Sequence, residues 1–340
     1  LLITEKEENL IKSQYSGAFP YIFHKLGISL VIATYQAHKL ITLYVKDDKM
    51  EMISCPFDKP MGLATKGEKL AVGTNLGIWE LRNSPSLQDQ YDAYYAPRNY
   101  YVTGRIQVHE MGYADDELWF VNTAYSCLCT LDPDYNFRPR WQPKFISRIV
   151  KEDRCHLNGL SIVNNKPKYV TAFGIADSKD GWRENKAHGG VLIDVESKEI
   201  IAANLSMPHS PRWYDGRLWL LESGHGSLVT VDLDTGKIET VVKLPGFTRG
   251  LDFYGPFAFV GLSQTRKQKI FSNIPLTERL EERSSGVWIV DINTGFAMSF
   301  LQFQDKVREI SDVKILPGIR YPEMISHGSK QIKNLAIFPD

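Results

Sequence analysis

Leu228-Val-Thr-Val-Asp-Leu-Asp-Thr-Gly236 and Val287-Trp-Ile-Val-Asp-Ile-Asn-Thr-Gly295 are two copies of one pattern, and Val191-Leu-Ile-Asp-Val-Glu-Ser-Lys198 is a looser third. Each is a β-rich run closed by turn residues. A second run follows each, at Ile238 to Leu244, Ala297 to Phe303 and Ile200 to Leu205. β-rich runs bounded by Asp, Asn, Thr and Gly read as hairpins. Another hairpin precedes them, as in Arg212-Trp-Tyr-Asp-Gly-Arg-Leu-Trp-Leu220 and Gly250-Leu-Asp-Phe-Tyr-Gly-Pro-Phe-Ala-Phe-Val260. Two hairpins make four strands, the unit of a β-propeller blade.

Working outward, the first strand of the unit recurs six times, as Met61-Gly-Leu-Ala64, Met111-Gly-Tyr-Ala114, Asn158-Gly-Leu-Ser161, Pro211-Arg-Trp-Tyr214, Arg249-Gly-Leu-Asp252 and Ser311-Asp-Val-Lys314. The last copy has no hairpin after it. The earliest β-rich region (Leu30 to Ala33, Leu40 to Val45, Met50 to Ser54) has three strands and lacks an inner one. A C-terminal strand that completes the N-terminal blade removes both deficits. The fold expected is therefore all-β, a six-bladed β-propeller closed by pairing the C-terminal strand with the N-terminal blade. Residues 29–340 form the propeller and residues 1–28 an N-terminal helical extension, with a helix-compatible run from Glu5 to about Ile11 that Ser16-Gly-Ala-Phe-Pro20 breaks.

Composition narrows the function. The 340 residues carry 40 Lys plus Arg and 40 Asp plus Glu, so the net charge is zero. A general nucleic-acid binder needs a cationic surplus to displace counterions, so nucleic acid is not expected as a partner. No apolar run is long enough to span a bilayer. The four cysteines, Cys55, Cys127, Cys129 and Cys155, are too few for a disulfide scaffold and contain no CxxC, so buried thiols and a cytoplasmic location are expected. G-x-G-x-x-G, P-loop and G-x-S-x-G signatures are absent.

First strands of propeller blades line the central channel, so equivalent positions face one axis. Two residues before each aligned position stand Lys59, His109, His156, His209, Phe247 and Glu309. Three of the eight histidines thus share one repeat position in three consecutive blades. Imidazole is the commonest transition-metal ligand, and three converging nitrogens leave positions open for water or substrate. His109, His156 and His209 are the expected ligands of one divalent transition metal. Glu309 is a fourth ligand or a catalytic base. Iron or copper is favoured, zinc or manganese remain alternatives, and calcium fits poorly because it prefers oxygen. The alternative is that these histidines bind channel water and backbone. His24, His38, His188, His225 and His327 are read as structural.

Other features cluster near the same mouth. Small hydroxyl residues recur where second strands end, at Thr34-Tyr35, Thr74-Asn75, Asn122-Thr123, Thr171-Ala172, Glu222-Ser223 and Leu262-Ser263; they could support ligands or simply close turns. Arg154, Arg183, Arg212, Arg249 and Arg266 lie at or near the mouth, and Arg212 and Arg249 sit on inner strands as candidate catalytic or anion-binding residues. Inter-blade ion pairing, with Asp153 or Asp312, is the other reading. Cys155 precedes His156, and strand alternation points it away.

The motifs Asp153-Arg-Cys-His-Leu-Asn-Gly-Leu160, Met207-Pro-His-Ser-Pro-Arg-Trp213, Leu244-Pro-Gly-Phe-Thr-Arg-Gly-Leu251 and Val260-Gly-Leu-Ser263, with Asn122-Thr123 and Gly181-Trp-Arg183, resemble a bacterial family of conserved hypothetical proteins that form a domain of unknown function. The resemblance spans about residues 28 to 320 and implies a propeller but no activity. More distantly the architecture is similar to gluconolactonase and strictosidine-synthase propellers, which work at the channel mouth. The metal-dependent lactonases among them use oxygen-rich sites, and the histidines here depart from that pattern. Histidine-held iron in the propellers of carotenoid-cleaving oxygenases is an analogy of architecture only. These readings together lead to a metal-dependent enzyme, with oxidoreductase or oxygenase chemistry on a small or peptidyl, possibly anionic, substrate ahead of hydrolase or lyase chemistry. The rival is a non-catalytic propeller that presents a face to a protein or glycan.

Overall fold

The turns are made of residues that accept left-handed backbone. Asp47-Asp48, Asn164-Asn165 and Asp215-Gly216 all have positive φ at both positions. They join strands in two-residue hairpins, with Lys46 opposite Lys49, Val163 opposite Lys166 and Tyr214 opposite Arg217. Such turns match the twist of the strands they connect. In the repeat that opened the sequence reading, Asp232 and Asp291 Oδ1 accept the backbone N–H groups two and three residues on, and Gly236 and Gly295 complete the turn at φ 70° and 73°. Asp194 does the same in the looser copy.

The computed structural model describes residues 11–84, 91–264 and 272–334. It contains six antiparallel sheets in a ring. Blade I is Asp312–Pro317, Ile28–Thr34, Lys39–Lys46 and Lys49–Pro56, innermost strand first; blade II is Leu63–Lys66, Lys69–Gly73, Gly77–Asn83 and Ala93–Val102. Blade III is Val108–Ala114, Glu117–Asn122, Cys127–Thr130 and Arg138–Trp141; blade IV is Leu157–Val163, Lys166–Ala172, Gly190–Asp194 and Ile200–Leu205. Blade V is Pro208–Tyr214, Arg217–Glu222, Ser227–Val231 and Ile238–Lys243; blade VI is Phe247–Tyr254, Phe257–Ser263, Gly286–Asp291 and Ala297–Phe303. All six expected inner strands are present. Closure is as expected too: Asp312–Pro317 pairs with Ile28–Thr34 from Ala33–Asp312 to Ile28–Pro317. The apolar side chains pack between the faces of neighbouring blades, as where Val31 and Leu40 of blade I meet Leu63, Leu70 and Val72 of blade II.

The recurring glycine of the inner strands has a packing reason. A Cβ on Gly62 would run into the His109 carbonyl of the next blade, and one on Gly159 into Pro211 Cδ and Thr171 Oγ1. Gly112 and Gly250 are filled in the same way by Ile162 and by the Asp312 backbone. Where two blades depart from glycine, Arg212 and Asp312 take its place and meet in the channel at 3.9 Å. Arg212 also pairs with Glu110 and donates to the Leu160, Pro211 and Leu251 carbonyls. Carboxylates stitch adjacent inner strands: Glu110 accepts Leu160 N–H, Asp252 accepts Ile315 N–H and Asp312 accepts Leu63 N–H.

The N-terminal segment differs from expectation. Apart from Ile11, which is not helical, the run from Glu5 lies outside the described residues. The helix is Ala18–Leu26, passing through the stretch read as a breaker. Pro20 is its third residue, where the first turn has no use for an N–H. Gly27 ends the helix at φ 64°. Phe19, Ile22 and Phe23 are buried, and Phe23 packs edge-on to Phe259 at 5.9 Å. Ser13–Tyr15 adds a fifth strand to blade VI. Ser13–Tyr15 and the helix thus pack against the propeller. Pro322–Met324 likewise adds a parallel edge strand to blade II. Among the described residues no helix is long and apolar enough to cross a membrane.

The glycine contacts give a direct test. Gly159→Ala should lower stability by about 1–3 kcal/mol, the usual cost of forcing a methyl into a packed site. Gly17→Ala, where nothing lies within 4 Å of a built Cβ, should shift the thermal midpoint far less. Thermal denaturation of the two variants beside the parent protein measures both.

Candidate functional site

All six equivalent positions face one cavity. Lys59, His109, His156, His209, Phe247 and Glu309 line a space of about 420 Å³ at one mouth of the channel. Tyr35, Met61, Thr74, Asn75, Arg105, Gln107, Val108, Phe173, Met207 and Arg249 complete the wall. That volume falls within the ordinary range of small-molecule sites.

The three imidazoles are held alike. Gln107 and Met207 each stand two residues before a histidine and have left-handed backbone, φ 53° and 48°. Their carbonyls accept from Nδ1 of His109 at 3.0 Å and of His209 at 3.1 Å. A carbonyl only accepts, so both Nδ1 atoms carry the proton and both Nε2 atoms carry a lone pair. Thr123 Oγ1 lies 2.8 Å from Nδ1 of His109 and donates its own proton to the Leu157 carbonyl; Ser223 Oγ lies 2.8 Å from Nδ1 of His209 and donates to the Thr248 carbonyl. The strand-end hydroxyls at these two positions thus brace the rings while tying blade to blade. Thr34, by contrast, spends its hydroxyl on the Lys39 carbonyl within its own blade. His156 is itself at φ 50°, and its Nδ1 is 2.9 Å from the Asp153 carboxylate.

Burial lowers the pKa of His109 and His209 well below the usual histidine value, and the charges of Arg249 and His156 push the same way. Both rings are therefore neutral at pH 7. Arg249 is itself lowered by burial, against the pull of Glu309. Its Nη2 lies 3.8 Å from Met61 Sδ.

His109 and His156 meet edge to face with centroids 5.1 Å apart. Phe173 stacks on His156 at 4.5 Å and meets His209 edge-on at 5.0 Å, and Trp182 packs on His156 at 4.4 Å. Phe173 therefore occupies space between His156 and His209. Among the described residues no group of three or more His, Cys, Asp or Glu side chains already stands at metal-holding separations. Imidazoles suit a transition metal in kind, and gathering all three on one ion requires side chains at the mouth to move.

The remaining candidates separate. Arg249 and Glu309 are in the mouth. Arg212 is not; it lies in the polar knot below, beside a second small cavity that it lines with Tyr113 and Lys314. Arg154 is buried and bridges Glu152, Ser147 and Asp177. Arg183 lies over Trp182 and pairs with Asp180. Arg266 lies outside the described residues. All four cysteines are buried free thiols, and burial pushes the Cys155 thiol up to about 12. Sequence reasoning did not single out Arg105, Gln107 or Phe173, gave Trp182 and Met207 only as parts of family motifs, and did not name Asp153 as the partner of His156. The usable signal was proximity, since Gln107 and Met207 share one offset from their histidines.

The buried imidazoles set the acid limb of stability. Below about 6.5 the unfolded chain protonates both histidines while the folded chain does not, so stability falls as pH drops. Asp312, raised by burial to about 6, opposes this, because below that pH the folded chain holds a proton that the unfolded chain lacks until about 3.8. The two imidazoles thus lower stability as pH falls below about 6.5, and Asp312, with Glu323 also raised by burial, opposes that slope. The double variant His109→Gln, His209→Gln should flatten or invert that slope in chemical-denaturation curves of metal-free protein.

The comparisons with known proteins agree on architecture. No curated protein matches the chain. A crystal structure of a protein of unknown function from Bacteroides caccae is similar to it, with a TM-score of 0.57 and 10% identity over 85% of this chain and 98% of that one. A chain of a nidogen/laminin complex is similar with a TM-score of 0.57 and 11% identity over 86% and 99%. At these identities the likeness concerns the fold alone. The family model for the domain of unknown function DUF4915 matches residues 17–325, including every residue of the channel mouth, and the chain belongs to that family.

Proposed function

We propose that this chain is a metal-dependent enzyme whose channel mouth holds one divalent transition metal on Nε2 of His109, His156 and His209. The observation that carries this reading is the fixing of Nδ1 in all three rings, which leaves Nε2 as the nitrogen to bind a metal. Metal-binding histidines characteristically give their second nitrogen to a carbonyl or carboxylate, which sets the tautomer and the ring direction. Three imidazole nitrogens would leave positions open for reactants, and iron or copper there would supply oxidation of a small or peptidyl substrate by dioxygen. Asp153, Thr123 and Ser223 would orient the rings. Arg249 would bind an anionic group of the substrate, and Phe173, Phe247 and Trp182 would wall off water.

Hydrolase or lyase chemistry is the second reading. The opposed charges of Arg249 and Glu309 beside the imidazoles favour it, since a Lewis-acid site uses such an acid–base pair and an oxidase has less need of one.

Elemental analysis of the purified protein tests the proposal. About one equivalent of metal is expected, lost in His109→Ala, His156→Ala and His209→Ala variants that keep the parent circular dichroism spectrum. Iron or copper would favour oxidation, and zinc the second reading. Metal-free protein whose thermal midpoint does not move on adding iron, copper, zinc or manganese would overturn both and leave a binding scaffold for a protein or glycan. Asp153→Asn should weaken metal binding by roughly 10- to 100-fold, the usual effect of removing a ligand's hydrogen-bond partner. A competition titration with a chromophoric chelator measures it.

A further inference from the structure

The cavity wall is divided by charge, which bears on what the site would accept. This deepens the reading above by naming a substrate class. Blades III, IV and V supply the imidazoles with Phe173. Among the described residues the opposite side carries three cations, Lys59 leading into blade II, Arg105 on the connection from blade II to blade III, and Arg249 on blade VI, against one lining carboxylate, Glu309. Among the described residues neither Lys59 nor Arg105 pairs with a carboxylate. The Lys59 ammonium instead lies 5.7 Å from the centre of the Tyr35 ring. Lys59 holds its place at φ 49°, a left-handed conformation uncommon for a lysine.

Surface cations are ordinarily scattered among anions, and a residual charge of two on one wall of a concave site is a recognition feature. One carboxylate on a ligand would, with Glu309, answer two of the three cations and leave the third unanswered. Two negative charges close together answer all three cations alongside Glu309.

We infer that the channel mouth binds a small dianion, with oxygens of the anionic part on Lys59, Arg105 and Arg249 and the rest of the molecule directed at the imidazole side. The shared chemistry is two negative charges on oxygen within one small group or chain, as in a phosphate monoester or a dicarboxylate. Arg105 and Lys59 are the residues that set specificity for charge; they are not assigned a chemical step.

Isothermal titration of the chelator-treated protein at pH 8 tests this without any metal. The probes are inorganic phosphate, malonate and, as a monoanion, acetate. The dianions should bind about tenfold or more tighter than acetate, as expected when a second charge-assisted contact is made. Lys59→Met and Arg105→Met should each weaken dianion binding by about three- to tenfold and leave acetate within about twofold. Preference for phosphate marks a phosphoryl group as the natural anion, and preference for malonate marks a dicarboxylate. Equal binding of acetate and both dianions, or dianion binding that both variants leave unchanged, overturns the inference. A protein that takes no metal but prefers dianions keeps this inference and loses the enzymatic reading; one that takes metal but shows no charge preference does the reverse.

Discussion

Neighbouring inner strands approach closely around the channel, and the arrangement at the mouth depends on that approach. Gly62 lies against the His109 carbonyl, Gly159 against Pro211 and Gly250 against the Asp312 backbone. Without a side chain at this position the strands come close enough for carboxylates of one blade to cap N–H groups of the next, as Glu110 does for Leu160. The two exceptions, Arg212 and Asp312, use the same position to fill the channel with a paired charge network.

The same closeness explains how the imidazoles are held. Thr123 and Ser223 each contact a histidine of their own blade and a carbonyl of the following blade. Ring orientation and ring closure are therefore coupled through one hydroxyl. Left-handed backbone at Gln107 and Met207 presents a second acceptor to the same Nδ1 atoms. Strained backbone concentrated where side chains must be aimed is a recurrent property of functional sites. Here it serves to fix a tautomer.

Much of this was legible in the sequence because a repeat converts spacing into geometry. Aligning six short motifs placed Lys59, His109, His156, His209, Phe247 and Glu309 around one axis although the intervals between them are unequal. The paired deficits at the chain ends indicated the closing strand. Three things were hidden, each for a local reason. Pro20 reads as a helix breaker unless its place in the first turn is known, so the helix Ala18–Leu26 was misplaced. Arg212 and Arg249 look equivalent, yet one residue of register puts Arg249 in the mouth and Arg212 in the glycine position below it. Phe173 lies just past the end of its strand, where no pattern announces that it will wedge between two histidines. The metal reading rests on histidines that were visible in the sequence; the ring contacts that must shift were not.

The most direct measurement is the two-bond proton–nitrogen correlation spectrum of histidine side chains in the metal-free protein, with His109 and His209 assigned by substitution. The account requires both rings to be neutral at pH 7 with the proton on Nδ1 and a bare Nε2. Finding the proton on Nε2 in either ring, or a charged imidazolium, would contradict it, because no lone pair would then face the cavity.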